Sequence, residues 1–303
     1  MTLAITGATG FVGQTLLDRA VTAGNGVRAL IRREQEPRPG VTWVPGDLGD
    51  RPALMRLVRG AEAVIHVAGV VNTPEPEGFE QGNVVGTLNV IEAAKATGVG
   101  RLVFISSLSA REPELSTYGA SKARAEKLVM ASGLDWTIVR PPGIFGPRDK
   151  DIFEMFRMAR WGVMPMPASA GRASYLHVDD LARLLLALVP GGEDASYRVF
   201  EPDDGRAGGW PHGEFARAIG SAMGRRPFVA HLSPALLGAA ARIDQTLRGA
   251  NARLTPDRAS YMSHPDWVAS DTAKVPTSVW QPQIETRAGL AATAQWYREA
   301  GWL

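Results

Sequence analysis

Leu3-Ala4-Ile5-Thr6 is a short apolar run that leads directly into Gly7-Ala8-Thr9-Gly10-Phe11-Val12-Gly13, where three glycines stand three residues apart. Glycines at this spacing are typical of the turn between a buried strand and a helix that binds the phosphates of a dinucleotide. The first permits a tight turn, the second lets backbone N–H groups approach a pyrophosphate, and the third lets the helix pack closely on the strand. The pyrophosphate then lies at the positive N-terminal end of the helix. On this motif alone, a purely structural turn that binds no ligand is the alternative. The residues expected to contact the dinucleotide are Gly7, Thr9, Gly10, Phe11, Val12 and Gly13.

The composition describes a globular chain with a large core and little net charge. Of its 303 residues, 45% are hydrophobic, and 33 basic residues stand against 31 acidic ones. A net charge of +2 without long basic tracts argues against a nucleic-acid partner. Without cysteine the chain has no disulfide and no thiol nucleophile, and we expect no metal site. Because the glycine motif begins within the first ten residues and no apolar run is long enough to span a bilayer, we expect a cytoplasmic protein that inserts into no membrane.

Short apolar runs alternate with helical patterns through the first half of the chain. The predicted strands are Leu3–Thr6, Val27–Ile31, Val41–Val44, Ala63–Ala68, Leu102–Ile105 and Trp136–Val139. The predicted helices are Phe11–Ala23, Arg51–Val58, Asn83–Ala96 and Tyr118–Ala131. Strands that are apolar at nearly every position and separated by helices indicate a parallel sheet covered on both faces. The pattern predicts an α/β fold, with a doubly wound parallel sheet (Rossmann) that binds the cofactor in residues 1–165. Residues 166–303 are expected to form a smaller C-terminal α/β substrate lobe, with segments that return to the sheet.

Two arginines, Arg32 and Arg33, follow the second predicted strand. In dinucleotide-binding domains an acidic residue at this place accepts hydrogen bonds from the adenosine ribose 2′-OH, whereas arginine suits a 2′-phosphate. The pair therefore favours NADP as the cofactor, with NAD as the alternative. A solvated pair at a strand end is the interpretation that needs no ligand.

Residues at the ends of the next two strands are also expected near the cofactor. Asp47 and Leu48 would flank the adenine, with the carboxylate reaching its amino group; equally, Gly46-Asp47 is only a loop that caps the helix beginning near Asp50. Small residues after the fourth strand would let a flat cofactor lie close to the backbone. These small residues are Val67, Ala68 and Gly69, and we interpret His66 before them as structural.

A serine, a tyrosine and a lysine together suit proton transfer. Tyr118 and Lys122 are four residues apart, so on a helix they lie on one face about one turn from each other. A phenol holds its proton too tightly for exchange at neutral pH, and a neighbouring ammonium favours the phenolate. Tyr118 would then act as general acid/base, while Lys122 tunes it and holds the nicotinamide ribose. Ser107 would hydrogen-bond the substrate oxygen as charge develops there, with Ser106 and Ser109 as alternatives.

Several motifs along nearly the whole chain match one family. They are Thr6–Gly13, Asn83-Val84-Val85-Gly86-Thr87, Ser106-Ser107, Tyr118-x-x-x-Lys122, Arg140-Pro141-Pro142-Gly143-Ile144-Phe145-Gly146-Pro147, His177-Val178-Asp179-Asp180 and the closing Trp280-Gln281-Pro282, Gly289-Leu290 and Trp296-Tyr297. The chain resembles the extended short-chain dehydrogenases/reductases of the NAD(P)-dependent epimerase/dehydratase superfamily. The resemblance implies that Ser107, Tyr118 and Lys122 are catalytic and that Asn83 lies near them, ordering water or the lysine. It further implies a homodimer formed through the helices that begin at Asn83 and Tyr118. The other residues expected to contact the cofactor are Tyr118, Lys122, Pro141, Gly143 and Ile144.

Two departures from the family pattern narrow the substrate. Gly143 stands where nucleotide-sugar members usually have an asparagine that contacts the substrate diphosphate, and Leu108-Ser109 replaces the Asp-Glu pair of sugar 4,6-dehydratases. The Arg-Pro-Pro sequence is closer to that of dihydroflavonol reductases and 3β-hydroxysteroid dehydrogenases, which act on apolar ketones or alcohols. We therefore predict an apolar carbonyl substrate. Flexible apolar residues that would either cover it or pack an ordinary core are Met155, Phe156, Met158, Trp161, Met164 and Met166.

Three functions fit these residues. The leading hypothesis is an NADP-dependent oxidoreductase that transfers a hydride between the nicotinamide and a carbonyl or alcohol carbon. A sugar epimerase would use the same residues twice and keep its NAD(P) bound. A non-catalytic dinucleotide-binding accessory protein would have the same fold without turnover, although the presence of both Tyr118 and Lys122 favours an enzyme.

Overall fold

The computed structural model describes residues 1–73, 75–167, 171–249, 252 and 254–303. The chain forms two compact units, and each is assembled from three stretches of sequence. The first unit comprises Met1–Arg140, Leu181–Glu201 and Val275–Gln281. The second comprises Pro141–Asp180, Pro202–Lys274 and Pro282–Leu303. Which part of the chain binds the cofactor and which binds the substrate stays a prediction.

Strands and helices alternate along the first unit, whereas the second has shorter strands. In chain order the strands are β1 (Thr2–Thr6), β2 (Gly26–Ile31), β3 (Val41–Pro45), β4 (Ala63–His66), β5 (Arg101–Ile105), β6 (Asp135–Val139), β7 (Gly143–Phe145), β8 (Val163–Met166), β9 (Arg172–Ala173), β10 (Tyr175–His177), β11 (Arg198–Phe200), β12 (Trp210–Pro211), β13 (Phe228–His231) and β14 (Asp266–Trp267). The helices are α1 (Phe11–Thr22), α2 (Arg51–Val58), α3 (Pro76–Phe79), α4 (Gly86–Thr97), α5 (Thr117–Met130), α6 (Asp151–Arg160), α7 (Val178–Ala187), α8 (His212–Ala222), α9 (Pro234–Arg248), α10 (Pro256–Met262) and α11 (Thr286–Glu299). A π-helical segment covers Glu80–Val85, and 3-10 turns cover Leu108–Arg111, Pro113–Leu115 and Asp271–Ala273.

The first unit is built around a seven-stranded sheet in the order β11-β6-β5-β4-β1-β2-β3. Every pairing in it is parallel. β4 and β5 are buried at every position, as expected of central strands in a sheet covered by helices. α2, α4 and α5 contribute Leu54, Val90 and Ala125 to the core cluster that includes these strands. The predicted α/β fold with a doubly wound parallel sheet is confirmed.

The strand order indicates where along the edge of the sheet a ligand would bind. From β1 the chain moves outward to β2 and β3, and it then crosses back to β4 on the other side of β1. Ligands of open α/β sheets bind outside the carboxyl ends of the strands where the order reverses in this way. The segments after β1 and β4, which contain Gly7 and Ala68, border that position.

The second unit combines short strand pairs with helices. β7 pairs with β10, β8 pairs with β13, and β9 lies between β12 and β14. The largest aromatic residues of its core are Phe145, Phe156, Tyr175, Trp210, Phe215 and Tyr297. Among the residues that the structure describes, no helix of either unit combines the length and the hydropathy needed to cross a bilayer.

The methionine-rich segment lies mainly in this core. Phe156, Met164 and Met166 are buried in it, and Met155 and Met158 pack against it. Ordinary core packing therefore accounts for these five residues. Their spacing does not by itself indicate a substrate pocket.

Candidate active site

The glycine cradle, which we define as Gly7, Gly10 and Gly13, forms the turn from β1 to α1. Gly7 has a φ of +74°, and a Cβ there would lie 2.6 Å from the backbone nitrogen of Ala68. A Cβ on Gly13 would overlap the carbonyl oxygen of Gly7. Gly10 is the N-cap residue of α1, and among the described residues no side chain caps this helix end. The three positions thus exclude side chains where a pyrophosphate would approach the helix, and the cradle fits a dinucleotide.

The neighbouring residues of the motif lie at the accessible start of α1. Thr9 is exposed, and its carbonyl oxygen accepts a hydrogen bond from Gln14 Nε2 at 2.8 Å. Phe11 and Val12 are half-buried in the first turn. Their contacts with a cofactor stay a prediction.

A second candidate region lies at the carboxyl ends of β2 and β3. A cleft of about 570 Å³ is lined by Ile31, Arg32, Arg33, Glu34, Gln35, Trp43, Pro45, Gly46 and Asp47. Asp47 is exposed, and its Oδ1 accepts hydrogen bonds from the backbone of Gly49 at 2.8 Å and of Asp50 at 3.1 Å. Asp50 in turn caps α2 by accepting from the Ala53 N–H. Asp47 therefore shapes the loop before α2 and also lines the cleft, and its contact with an adenine stays a prediction.

Leu48 packs elsewhere. Its Cδ1 lies 2.7 Å from the place of a Cβ on Gly86, and its carbonyl oxygen accepts a hydrogen bond from Asn89 Nδ2 at 2.8 Å. The structure therefore places Leu48 against the start of α4, and it is not among the residues that line the cleft.

The segment after β4 is held by Asn83. Asn83 is buried, its Oδ1 accepts from the Val70 N–H at 2.7 Å, and its Nδ2 donates to the Val70 carbonyl oxygen and to Ser121 Oγ, both at 2.9 Å. A Cβ on Gly69 would lie 3.0 Å from Asn83 Oδ1 and 3.7 Å from Lys122 Nζ. Asn83 thus fixes the backbone beside Lys122. Its predicted role in ordering water or the lysine itself stays a prediction.

His66 is structural in its contacts. Thr87 donates its hydroxyl hydrogen to the Asn83 carbonyl oxygen, so Thr87 Oγ1 must accept from His66 Nε2 at 3.0 Å. His66 Nδ1 then accepts from the Thr6 hydroxyl at 2.6 Å. Burial, with the nearby Lys122 ammonium, lowers the pKa of His66 to about 3. A neutral imidazole therefore ties β1, β4 and α4 together.

The residues predicted to transfer a proton lie on α5 and directly after β5. α5 begins after Ser116, whose Oγ accepts from the Gly119 N–H, and it places Tyr118 and Lys122 one turn apart on one face. Lys122 is buried, and its Nζ donates to the carbonyl oxygen of Ile105 at 2.6 Å. Ser106 and Ser107 follow Ile105 directly. The Tyr118 ring is half-buried, with its centroid 5.9 Å from that of Phe79.

Contacts within the first unit connect this point with the cradle. A Cβ on Gly7 would meet the backbone of Ala68, and a Cβ on the next residue, Gly69, would lie 3.7 Å from Lys122 Nζ. Lys122 in turn binds the last residue of β5, ahead of the serines. The structure therefore brings together the cradle, the small residues Val67, Ala68 and Gly69, Asn83, Lys122 and the Ser106-Ser107 segment.

The three candidate serines differ in what they already bind. Ser106 is buried and donates its hydroxyl hydrogen to Glu126 Oε1 at 2.5 Å. Ser109 is buried in the turn that follows. Ser107 is half-buried, and its Oγ accepts from the Ser109 N–H at 3.1 Å, which leaves its hydroxyl hydrogen for another acceptor.

A buried ion network beneath these residues was not predicted from the sequence. Glu126 accepts from Arg140 at 2.9 and 2.7 Å, and Arg140 also donates to Glu201 at 3.3 Å. Glu201 accepts from Arg111 at 3.2 Å. The network ties α5, β6, β11 and the turn after Ser107 to one another. The available signal was the four-residue spacing Tyr118, Lys122, Glu126, which puts a carboxylate on the helix face of the pair.

Burial and this carboxylate act in opposite directions on Lys122. Burial lowers the pKa of Lys122 to about 8, and the Glu126 carboxylate raises it. The ammonium form at neutral pH therefore depends in part on Glu126.

Pro141, Gly143 and Ile144 belong to the second unit, and their contacts with a cofactor stay a prediction.

Comparisons with known proteins agree with a fold that binds a nicotinamide dinucleotide. A family profile described as NAD(P)H-binding matches residues 7–156. The chain is 37% identical to a ceramide reductase of Caulobacter vibrioides over 99% of this chain and 96% of that protein. It is 31% identical to a 2-alkyl-3-oxoalkanoate reductase of Stenotrophomonas maltophilia over 66% of this chain and 70% of that protein. Its fold resembles that of a UDP-glucose 4-epimerase from Thermotoga maritima, with a TM-score of 0.75, 20% identity and 99% of each chain covered.

Proposed function

We propose that this chain, which belongs to the extended short-chain dehydrogenases/reductases, an NAD(P)H-binding family of enzymes, is an NADP-dependent reductase of a carbonyl group on an alkyl-chain lipid. The observation that carries the proposal is the anchoring of Lys122 on Ile105, one helical turn from Tyr118 and directly ahead of Ser107. This anchor holds the Lys122 ammonium at the end of β5, beside Gly69, and we infer that the Tyr118 phenol and the Ser107 hydroxyl face the same point.

Each residue has a stated part in the reaction. The cofactor, when bound, supplies the hydride to the carbonyl carbon. The Tyr118 hydroxyl gives its proton to the carbonyl oxygen, which becomes the alcohol, and the Lys122 ammonium stabilises the phenolate left behind. Ser107 Oγ donates a hydrogen bond to the same oxygen as negative charge develops on it. Solvent later returns a proton to Tyr118.

The substrate class is supported by Gly143 and by the relatives. A Cβ on Gly143 would lie 2.7 Å from Tyr175 Cδ1, and the Tyr175 ring stacks on Phe215 with centroids 3.4 Å apart. The asparagine of nucleotide-sugar enzymes would therefore displace a ring that is itself packed. Both curated relatives described above are named for substrates with alkyl chains. We infer an apolar, chain-bearing carbonyl compound and not a nucleotide sugar.

The test is NADPH oxidation, followed at the nicotinamide absorbance band. Probes are 2-alkyl-3-oxoalkanoates and ceramides that carry a ketone, offered in mixed micelles, with UDP-glucose as the comparison. We expect stoichiometric NADPH oxidation with one of the lipid ketones and none with UDP-glucose. Conversion of UDP-glucose with tightly retained cofactor and no net NADPH oxidation would make the chain an epimerase, and cofactor binding without turnover of any probe would make it an accessory protein.

NADP preference is proposed to come from Arg32 and Arg33 in the cleft at the end of β2. A charge-assisted hydrogen bond contributes ~1.5–3 kcal/mol, so losing one from each arginine should weaken NADPH binding by roughly 10²- to 10⁴-fold. We expect this for Arg32→Ser/Arg33→Ser in a fluorescence titration, with NADH binding changed about twofold or less. The control is Arg59→Ser, an exposed arginine at the end of α2. Equal losses for NADPH and NADH would contradict a 2′-phosphate site.

The pH profile tests the role of Lys122. Because the cation is required and the pKa of Lys122 lies at about 8, kcat/KM should fall as pH rises through this value. Glu126→Gln removes the carboxylate that raises the pKa of Lys122, so the fall should begin at lower pH. Glu201→Gln removes the other carboxylate partner of Arg140 and serves as the control. Its kcat/KM should fall over the same alkaline pH range as that of wild type. If the alkaline limbs of wild type and Glu126→Gln were identical, Lys122 would not be the group whose titration lowers kcat/KM.

A further inference from the structure

Helix α9 of the second unit leaves an apolar stripe uncovered. Leu237 and Ala241 are buried against Ala259 of α10, and they form the packed face of the helix. Leu236, Ile243 and Leu247 are 58%, 60% and 79% exposed. The spacing i, i+7, i+11 places these three side chains on one face of the helix. α9 is therefore apolar on two faces, of which only one is packed.

The strand just before α9, β13, and its partner β8 also present apolar residues to solvent. Phe228 of β13 pairs with Val163 of β8, and both side chains are exposed. Met164 and Met166, which follow on β8, are buried. The outward face of the two-stranded ribbon thus begins with two large apolar side chains. Trp161, two residues before β8, is 83% exposed. Scattered apolar residues are normal on a surface, but here three large ones lie on one face of α9 and three on or just before the β8–β13 pair, and only two residues separate β13 from α9. This concentration indicates an interaction surface.

Positive charge accompanies this surface. Arg225 and Arg226 directly precede β13 and are exposed, as are Arg160 at the end of α6 and Arg242 on α9. Residues 225–249 contain four arginines and one aspartate, Asp244, which pairs with Arg248 at 3.2 Å. An apolar stripe flanked by arginines is typical of helices that lie in the interface of an anionic membrane.

We propose that the surface formed by Trp161, Val163, Phe228, Leu236, Ile243 and Leu247, with its flanking arginines, docks on an anionic lipid bilayer. The apolar side chains enter the boundary between headgroups and acyl chains, and the arginines contact lipid phosphates. The proposal rests in part on the proposed function, because an alkyl-chain lipid resides in such a bilayer and reaches an enzyme most directly at its surface. The protein lies on the membrane and does not cross it.

The experiment measures vesicle binding by the chain of 303 residues without substrate or cofactor. Co-sedimentation is compared between vesicles of phosphatidylcholine alone and vesicles of equal parts phosphatidylcholine and phosphatidylglycerol. We expect binding to the anionic vesicles that weakens with added salt. Leu236→Gln/Ile243→Gln/Leu247→Gln should lower the partition coefficient about tenfold or more, and Arg225→Gln/Arg226→Gln should remove most of the preference for phosphatidylglycerol. Gln245→Ala, an exposed change on the opposite face of α9, is the matched control.

Failure of this proposal is distinct from failure of the proposed function. NADPH binding and reduction of a short, water-soluble ketone report on the first unit and its chemistry, and the triple variant should keep both, which also shows that it is folded. Vesicle binding by the triple variant equal to that of wild type, or no binding by wild type at low salt, would overturn membrane docking. Concentration-dependent dimers in light scattering that the triple variant loses, together with no vesicle binding, would assign the surface to a second copy of this chain.

Discussion

We expect Tyr118→Phe to lower kcat for carbonyl reduction by about 10²- to 10⁴-fold, the usual contribution of a positioned general acid. The variant loses one oxygen atom, so the ring and its contact with Phe79 remain. Binding of the lipid ketone and of NADPH should change little, because the proton moves only in the transition state. The measurement is steady-state NADPH oxidation, with NADPH affinity determined separately by fluorescence.

The control for this variant is Tyr197→Phe, which removes the same atom from an exposed tyrosine in the first unit. Its kcat should equal that of wild type within about twofold. A Ser107→Ala variant should lose activity as well, because the developing charge loses a donor. If Tyr118→Phe kept wild-type turnover while Ser107→Ala lost it, the proton would come from a different group and the assignment of Tyr118 would be wrong.

Local patterns predicted the sheet because its central strands are buried on both faces. α2 begins and ends where the pattern places it, at Arg51 and Val58. β4 was predicted to run to Ala68 but ends at His66, since the Ala68 N–H turns to Thr6 Oγ1 and Asn83 holds Val70. That ending depends on partners far away in sequence, which periodicity cannot report. β11 joins the sheet with only three residues, Arg198–Phe200, too few for an apolar pattern to stand out.

The candidate site likewise combines features that local sequence spacing predicts with features that depend on residues far apart in the chain. The Tyr118–Lys122 pair is set by helical spacing within five residues, so the sequence alone brings the two side chains together. The anchor of Lys122 on Ile105 and the chain of ion pairs from Glu126 to Arg111 join separate elements and became visible only in the fold. For the methionine-rich segment the sequence left two alternatives, a substrate pocket and an ordinary core, because apolar residues at helical spacing serve either, and only the fold shows the packing in the core.

The glycine cradle leads to the second large effect, that of Gly13→Ala. A methyl group at this position would overlap the carbonyl oxygen of Gly7, and Gly7 has little room to move because even a Cβ on it would lie 2.6 Å from the backbone nitrogen of Ala68. We expect α1 to shift away from β1, which moves its N–H groups from the pyrophosphate. NADPH affinity should fall about 100-fold or more, and the free energy of unfolding should fall by about 1–3 kcal/mol, as for other overpacked positions.

The two effects of Gly13→Ala can be separated by thermal unfolding with and without NADPH. A ligand at free concentration L stabilises the folded state by RT ln(1 + L/Kd), so at an NADPH concentration below the variant's Kd wild type should gain in Tm and the variant should gain almost nothing. Gly100→Ala is the matched control, since Gly100 has open space around the added methyl group. If Gly13→Ala lost stability but kept the full NADPH-dependent gain in Tm, the third glycine would serve packing of α1 alone. The cradle is a cofactor site only if the same methyl group that strains the turn also removes the ligand.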